Sequence, residues 1–290
     1  MSFARVADRS TLVVSGEPAE DFLQNLVTAD IAGIPPGEAR PSALLTPQGK
    51  ILFDFLVSRA QAGFRIEVAA SARADLVKRL TLYRLRTKVA IEPEDAPVSA
   101  LWDEGDAPRP GFARDRRFPD EPVWRAYDEA AIAGLVEARA EDFRALRLRS
   151  GVVEAEADFP ASDVFPHDVL LDQNGGVSFK KGCYVGQEVV SRMQHRGTAR
   201  RRLMLASGER HLTPGSDVLA DGRAIGTLWS AVGTEGVALV RLDRLVDAMG
   251  AGATLAVDGV PVELRLPSWA GFDLPAPGES AATGPEGREA

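Results

Sequence analysis

The chain of 290 residues holds one cysteine, three histidines and three tyrosines, and each scarcity removes a class of chemistry. A single cysteine allows no internal disulfide, and without a second one there is no paired C-x-x-C pattern for structural zinc. The cysteine fits a reducing compartment. Basic residues are outnumbered, 34 Lys and Arg against 42 Asp and Glu, leaving a net charge of -8. That balance argues against affinity of the whole protein for nucleic acid, because phosphate binding needs a basic surface. No segment approaches the roughly 18 to 20 apolar residues a membrane helix requires. The first thirty residues carry Asp8, Glu17, Glu20 and Asp21 and no continuous apolar run, unlike a secretory signal or an acidic-poor transit peptide. These absences predict a soluble, cytoplasmic protein with no membrane partner.

What is present reads as more than one packed unit, since 290 residues exceed the usual size of a single domain. Thr11–Val14 is a short apolar run, and Pro18 with Glu17, Glu20 and Asp21 marks a helix start, followed by Phe22, Leu23, Leu26 and Val27 at helical spacing. Ser42–Thr46 and Ile51–Ser58 predict a hairpin through Pro47-Gln48-Gly49-Lys50, with Phe64–Val68 as a third strand. Ser71 is the predicted cap of a helix through Leu76, Val77, Leu80 and Tyr83, and strands are expected at Lys88–Glu92 and Val98–Trp102. Asp103–Pro122 reads as a loop, Glu129–Ala140 and the run from Asp142 as helices, and Gly151–Gly176 as irregular chain. From Arg201 the texture changes to short apolar runs between glycine turns, the pattern of a small barrel or sandwich. Gly271–Ala290 has too little apolar content to offset ordering entropy and reads as a disordered tail.

The lone cysteine lies in Lys180-Lys181-Gly182-Cys183-Tyr184-Val185-Gly186-Gln187-Glu188. Lone cysteines are usually buried small hydrophobes, but these neighbours favour a reactive or ligand-forming thiol. Two lysines would stabilise a thiolate, Gly182 removes steric cover, and a helix over Val185–Met193 would set the sulfur at its positive end. A protease reading would need a histidine base, and His167 and His195 are near in sequence only. One thiolate cannot hold a cluster alone, since four ligands are normally supplied, so any cluster contact would be transient and shared. Arg192, Arg196, Arg200, Arg201 and Arg202 fall in a stretch without acids between Val189 and Gly208. They read equally as a dock for an anionic ligand or RNA backbone and as a solvated link into the next unit.

Lys181-Gly-Cys183-Tyr-Val-Gly186-Gln187-Glu188, with Gly176-Val-Ser-Phe before it and Arg196-Gly197 after it, resembles the signature of the YgfZ family of folate-binding proteins. The likeness extends through Phe22–Asp30, Gly49-Lys50, Tyr83–Ile91 and Ala145–Gly151, segments shared more loosely with the glycine-cleavage T-protein, an aminomethyltransferase that lacks the cysteine. The resemblance implies an α+β fold: a ring of α+β units around a central folate-sized cavity, plus a C-terminal small β-barrel. It implies a folate-binding region over 1–200, built from 1–45 with 141–200 and from 46–140, a barrel over 201–268 and a tail over 269–290. It implies a tetrahydrofolate-binding accessory protein that supports assembly or repair of iron-sulfur clusters in client enzymes, tRNA-modifying ones included, with no permanently bound metal. Cys183 would be the reactive group tuned by Lys181, and Gly182, Tyr184, Gly186, Gln187 and Glu188 would support the motif. Asp30, Arg149, Glu154 and Arg196 are the candidate folate contacts. Where T-proteins place a glutamate for the pterin this chain has Arg149, and an arginine cannot accept the pterin's N–H donors; Glu154 or Glu156 would have to substitute. The other readings are a tetrahydrofolate-dependent aminomethyl or methyl transferase and an RNA-binding module.

Overall fold

A computed structural model describes residues 2–102, 110–197 and 199–274. The first two thirds of the chain alternate strand and helix: β1 (Ser2–Arg5), β2 (Arg9–Ser15), α1 (Ala19–Gln24), β3 (Glu38–Leu45), β4 (Ile51–Ala60), β5 (Gly63–Ala69), α2 (Arg73–Arg84), β6 (Ala90–Glu94), β7 (Ser99–Trp102), β8 (Phe112–Asp115), β9 (Trp124–Ala126), α3 (Glu129–Ile132), β10 (Val136–Glu137), α4 (Ala140–Arg149) and α5 (Gln187–Arg196). Their ten strands form one sheet in the order β10-β1-β7-β9-β8-β3-β4-β5-β2-β6. Then follow β11 (Arg201–Gly208), β12 (Asp217–Ala220), β13 (Arg223–Val232), β14 (Glu235–Arg241), α6 (Leu242–Gly250), β15 (Leu255–Val257) and β16 (Val260–Arg265), whose six strands close into a barrel. The α+β fold with a terminal barrel is therefore as the family resemblance implies.

The β3–β4–β5 meander matches the sequence pattern, and its Pro47–Lys50 turn closes with Gly49 at φ +81°, a left-handed value that favours glycine. The departures have local causes. The region predicted as a loop contains β8, and β9 follows it; both are too short to show periodicity, and residues 103–109 lie outside the described residues. The helix predicted over Glu129–Ala140 stops at Ile132, before Gly134 at φ +80°, and Val136–Glu137 instead pairs beside β1. Ser71 makes no cap, since α2 begins after Ala72 without a side-chain cap bond. Helix α6 was not expected, although Leu242, Leu245 and Val246 are spaced for one buried face. Among the described residues no helix is long and apolar enough to cross a membrane.

Between the sheet and the irregular 151–174 chain lies a buried ionic network rather than a purely apolar core. Arg117 donates to Asp115 and, at 2.6 Å, to Glu154; Arg125, fully buried, donates to Asp115 at 3.1 Å. Arg147 of α4 pairs with Asp158, which also accepts from Ser230 of β13 at 2.6 Å, so the network ties the barrel to the sheet. Burial pushes Glu154 upward, but the guanidiniums of Arg9, Arg147, Arg117 and Arg125 outweigh it and hold the carboxyl well below the usual carboxylate range. The cavity among these groups, beside Asp54, Phe55, Arg117 and Val152, is about 20 Å³, room for roughly one water. A larger pocket of about 220 Å³ opens at the seam of sheet and barrel, lined among others by Phe118, Glu121, Arg149, Glu235, Arg265 and Trp269.

Candidate functional site

The cysteine loop is built against two distant turns. Gly186 takes φ +78° as the N-cap of α5, and a Cβ there would lie 2.6 Å from the Thr46 carbonyl oxygen and 3.0 Å from Gly49 Cα. A Cβ on Gly49 would in turn meet Val189 at 2.9 Å. Two glycines facing each other thus let the β3–β4 turn seat on the start of α5. Because Gly186 is left-handed, the helix begins at Gln187 and not at Val185. Cys183 stands three residues before that cap, outside the first turn where a helix dipole acts.

The second support is the turn after α1. Thr28 Oγ1 donates to the Gly176 carbonyl at 2.6 Å, and the Ser178 amide donates to the Thr28 carbonyl at 2.9 Å. The Lys181 ammonium donates to the carbonyls of Val27 and Ala29 at 2.6 and 2.7 Å and lies 5.3 Å from the Tyr184 ring centre. Burial lowers the Lys181 pKa to about 8 against an upward pull from Asp30. Tyr184 is buried with no partner for its hydroxyl among the described residues, and burial pushes it up to about 12. Between these two fixed side chains Gly182 and Cys183 are exposed, the thiol unpaired. Four hydrogen bonds therefore hang the loop from the Val27–Ala29 turn and leave its tip open.

The structure brings some predicted residues together and scatters others. Gln187 is half-buried at the start of α5, while Glu188 is exposed and paired with Arg192 one turn on. Asp30 accepts from Gln24 at 2.8 Å and lies beside the clasped lysine, in none of the pockets described above. Arg149 lines the seam pocket with Arg265, and neither guanidinium has a hydrogen-bonding or ionic partner among the described residues. Glu154 belongs to the ionic network, with its oxygens on Arg117 and Arg147, and does not line the pocket that Arg149 lines. Arg196 is exposed at the last turn of α5. In the arginine-rich segment Arg201 and Arg202 pair with Asp168 and Asp172 at 2.7 and 2.8 Å and Arg192 with Glu188, while Arg196 and Arg200 are exposed. His167 is buried and bonded to Gln194, and burial lowers its pKa. Sequence reasoning missed Thr28; its signal, a hydroxyl residue just past a predicted helix, is common to ordinary turns.

The family profile described as the CAF17 C-terminal β-barrel domain matches residues 200–272. The human iron-sulfur cluster assembly factor IBA57, mitochondrial, is 31% identical, the alignment covering 91% of this chain and 84% of that protein. Its homolog from Pyricularia oryzae is 30% identical over 84% of this chain and 73% of its own length, and the mouse protein 29% identical over 83% and 78%. Among solved structures, the glycine cleavage system aminomethyltransferase T from Bartonella henselae superposes with a TM-score of 0.69 at 15% identity, covering 92% of this chain and 86% of that one; the likeness is one of fold. These relatives correct one expectation. The human, mouse and Pyricularia proteins are all named mitochondrial, against the cytoplasmic setting read from the acidic N-terminus. Charge near a terminus excludes some targeting signals but assigns no compartment.

Proposed function

Because this chain belongs to the family of the iron-sulfur cluster assembly factor IBA57, we propose that its part in cluster assembly is carried by Cys183, acting on iron, sulfur or a cluster that partner proteins bring to it. The observation that supports this most is the presentation of the only cysteine: exposed, on a loop whose base is fixed by hydrogen bonds to the turn after α1. A buried structural cysteine would not need that framing. Among the described residues no group of three or more His, Cys, Asp or Glu side chains is placed to hold a metal ion. One thiolate supplies one ligand and the remainder must come from a partner, so the cluster is cargo. In cells lacking their own copy of the protein, Cys183→Ala is expected to fail to restore a cluster-dependent tRNA-thiolating enzyme, a client of the kind this reading includes. Full restoration by that variant would remove the thiol from the account.

Tetrahydrofolate belongs to the same proposal, and its place is the seam pocket rather than the small cavity inside the ionic network. The residues there suit it: Phe118 and Trp269 offer apolar and aromatic walls, and the Glu121 and Glu235 carboxylates are acceptors. The Arg149 and Arg265 guanidiniums, without an ionic partner among the described residues, are cations for an anionic tail. When bound, folate would supply a one-carbon carrier. The chain's own contribution would be to orient that carrier, with Trp269 held by its indole N–H to the Ser150 carbonyl at 2.8 Å.

A further inference from the structure

The lysine of the cysteine motif invites an electrostatic role, one residue removed from the thiol's glycine. The geometry points elsewhere. We infer that Lys181 is a positioning residue, a clasp whose ammonium fixes the cysteine loop to the carbonyls ending the α1 turn and so decides where Cys183 is presented. This deepens the reading of Cys183 as the working thiol and rests on it, but its test does not require cluster chemistry.

Three observations carry the inference. The ammonium donates two short bonds, to Val27 and Ala29, and its remaining near neighbours are the Tyr184 ring and, through space, the Asp30 carboxylate. Its two hydrogen bonds thus go to backbone carbonyls of the α1 turn, on the side where Asp30 lies, and none goes to the thiol. The carbonyls it grips flank Thr28, whose hydroxyl and carbonyl bond Gly176 and Ser178 on the other side of the loop. The same three-residue turn therefore holds the loop on both flanks and is itself locked to β3, the Ala43 amide donating to Thr28 Oγ1 and the Ala29 amide to Ser42 Oγ. Finally, the loop makes one internal closing bond, from the Lys181 amide to Ser178 Oγ at 3.3 Å, too little to fix the exposed Gly182–Cys183 tip alone. A side-chain clasp supplies what the backbone lacks. Arginine would keep the charge but not the fit, since a planar fork does not replace a compact ammonium pointed at two converging carbonyls.

Amide hydrogen exchange and thiol alkylation, measured on the full-length protein, separate a clasp from an electrostatic activator. In Lys181→Met, protection of the Ser178 and Lys181 amides is expected to fall by about tenfold or more, the loss of at least one bond from a charged donor, while amides of β3 and β4 keep theirs. The pH midpoint of iodoacetamide reaction at Cys183 is expected to stay where it is in the wild type. A midpoint that moves up with loop protection unchanged would overturn the inference and make Lys181 an activator of the thiol. If Lys181→Met loses the protection of β3 and β4 as well, Lys181→Arg serves instead. Protection retained in full by the arginine variant, with a charge present but the fit lost, would also overturn it.

Discussion

Arg149 stands where a carboxylate is expected for a pterin, and the structure gives it a setting that the substitution alone does not reveal. It faces a pocket of about 220 Å³ and shares it with Arg265, Trp269 and the carboxylates of Glu121 and Glu235. Swapping one polar group for its opposite does not abolish a site when acceptors enter from the other side of the seam. Calorimetric titration with tetrahydrofolate is expected to show binding to the wild type, weakened about tenfold in Trp269→Ala by loss of an aromatic wall. No heat of binding in the wild type would place folate outside this protein's function. Glu154 could not have taken the role, because its oxygens answer to buried arginines.

At the scale of elements, the site is the meeting of the β3–β4 turn, the turn after α1 and the start of α5. Gly186 is the joint among them. Gly186→Ala would pay for a left-handed backbone and press a methyl against the Thr46 carbonyl, so a loss of about 2 kcal/mol or more in urea unfolding is expected. An unchanged midpoint would show that the turn does not seat on the helix as described. Much of this was legible in the sequence. The hairpin showed in its alternation and its Pro-Gln-Gly-Lys turn, a small barrel or sandwich in its glycine-spaced apolar runs, and the cysteine loop in its flanking glycines. What was not legible was who touches whom. Lysine beside cysteine reads as a charge effect, whereas the ammonium reaches carbonyls 152 and 154 residues away. The short strands β8 and β9 have too few residues to show a period, and α6 hid inside a stretch whose glycine turns read as strand punctuation.

The whole molecule explains why an exposed thiol can be held still. The ionic network joins strands β2, β5, β8 and β9 to α4 and, through Ser230, to the barrel. Unpaired, any of these charges would be costly in the interior, so the sheet and barrel keep one arrangement and the seam pocket one shape. On that frame the Gly182–Cys183 tip stands exposed between the half-buried Lys181 and the buried Tyr184. The most direct measurement is the rate at which purified protein supports insertion of an iron-sulfur cluster from a loaded assembly protein into an apo client enzyme. With Cys183→Ala, the account predicts that this rate falls to the level seen with no protein added, while the variant keeps its unfolding midpoint. A rate equal to that of the wild type would contradict it.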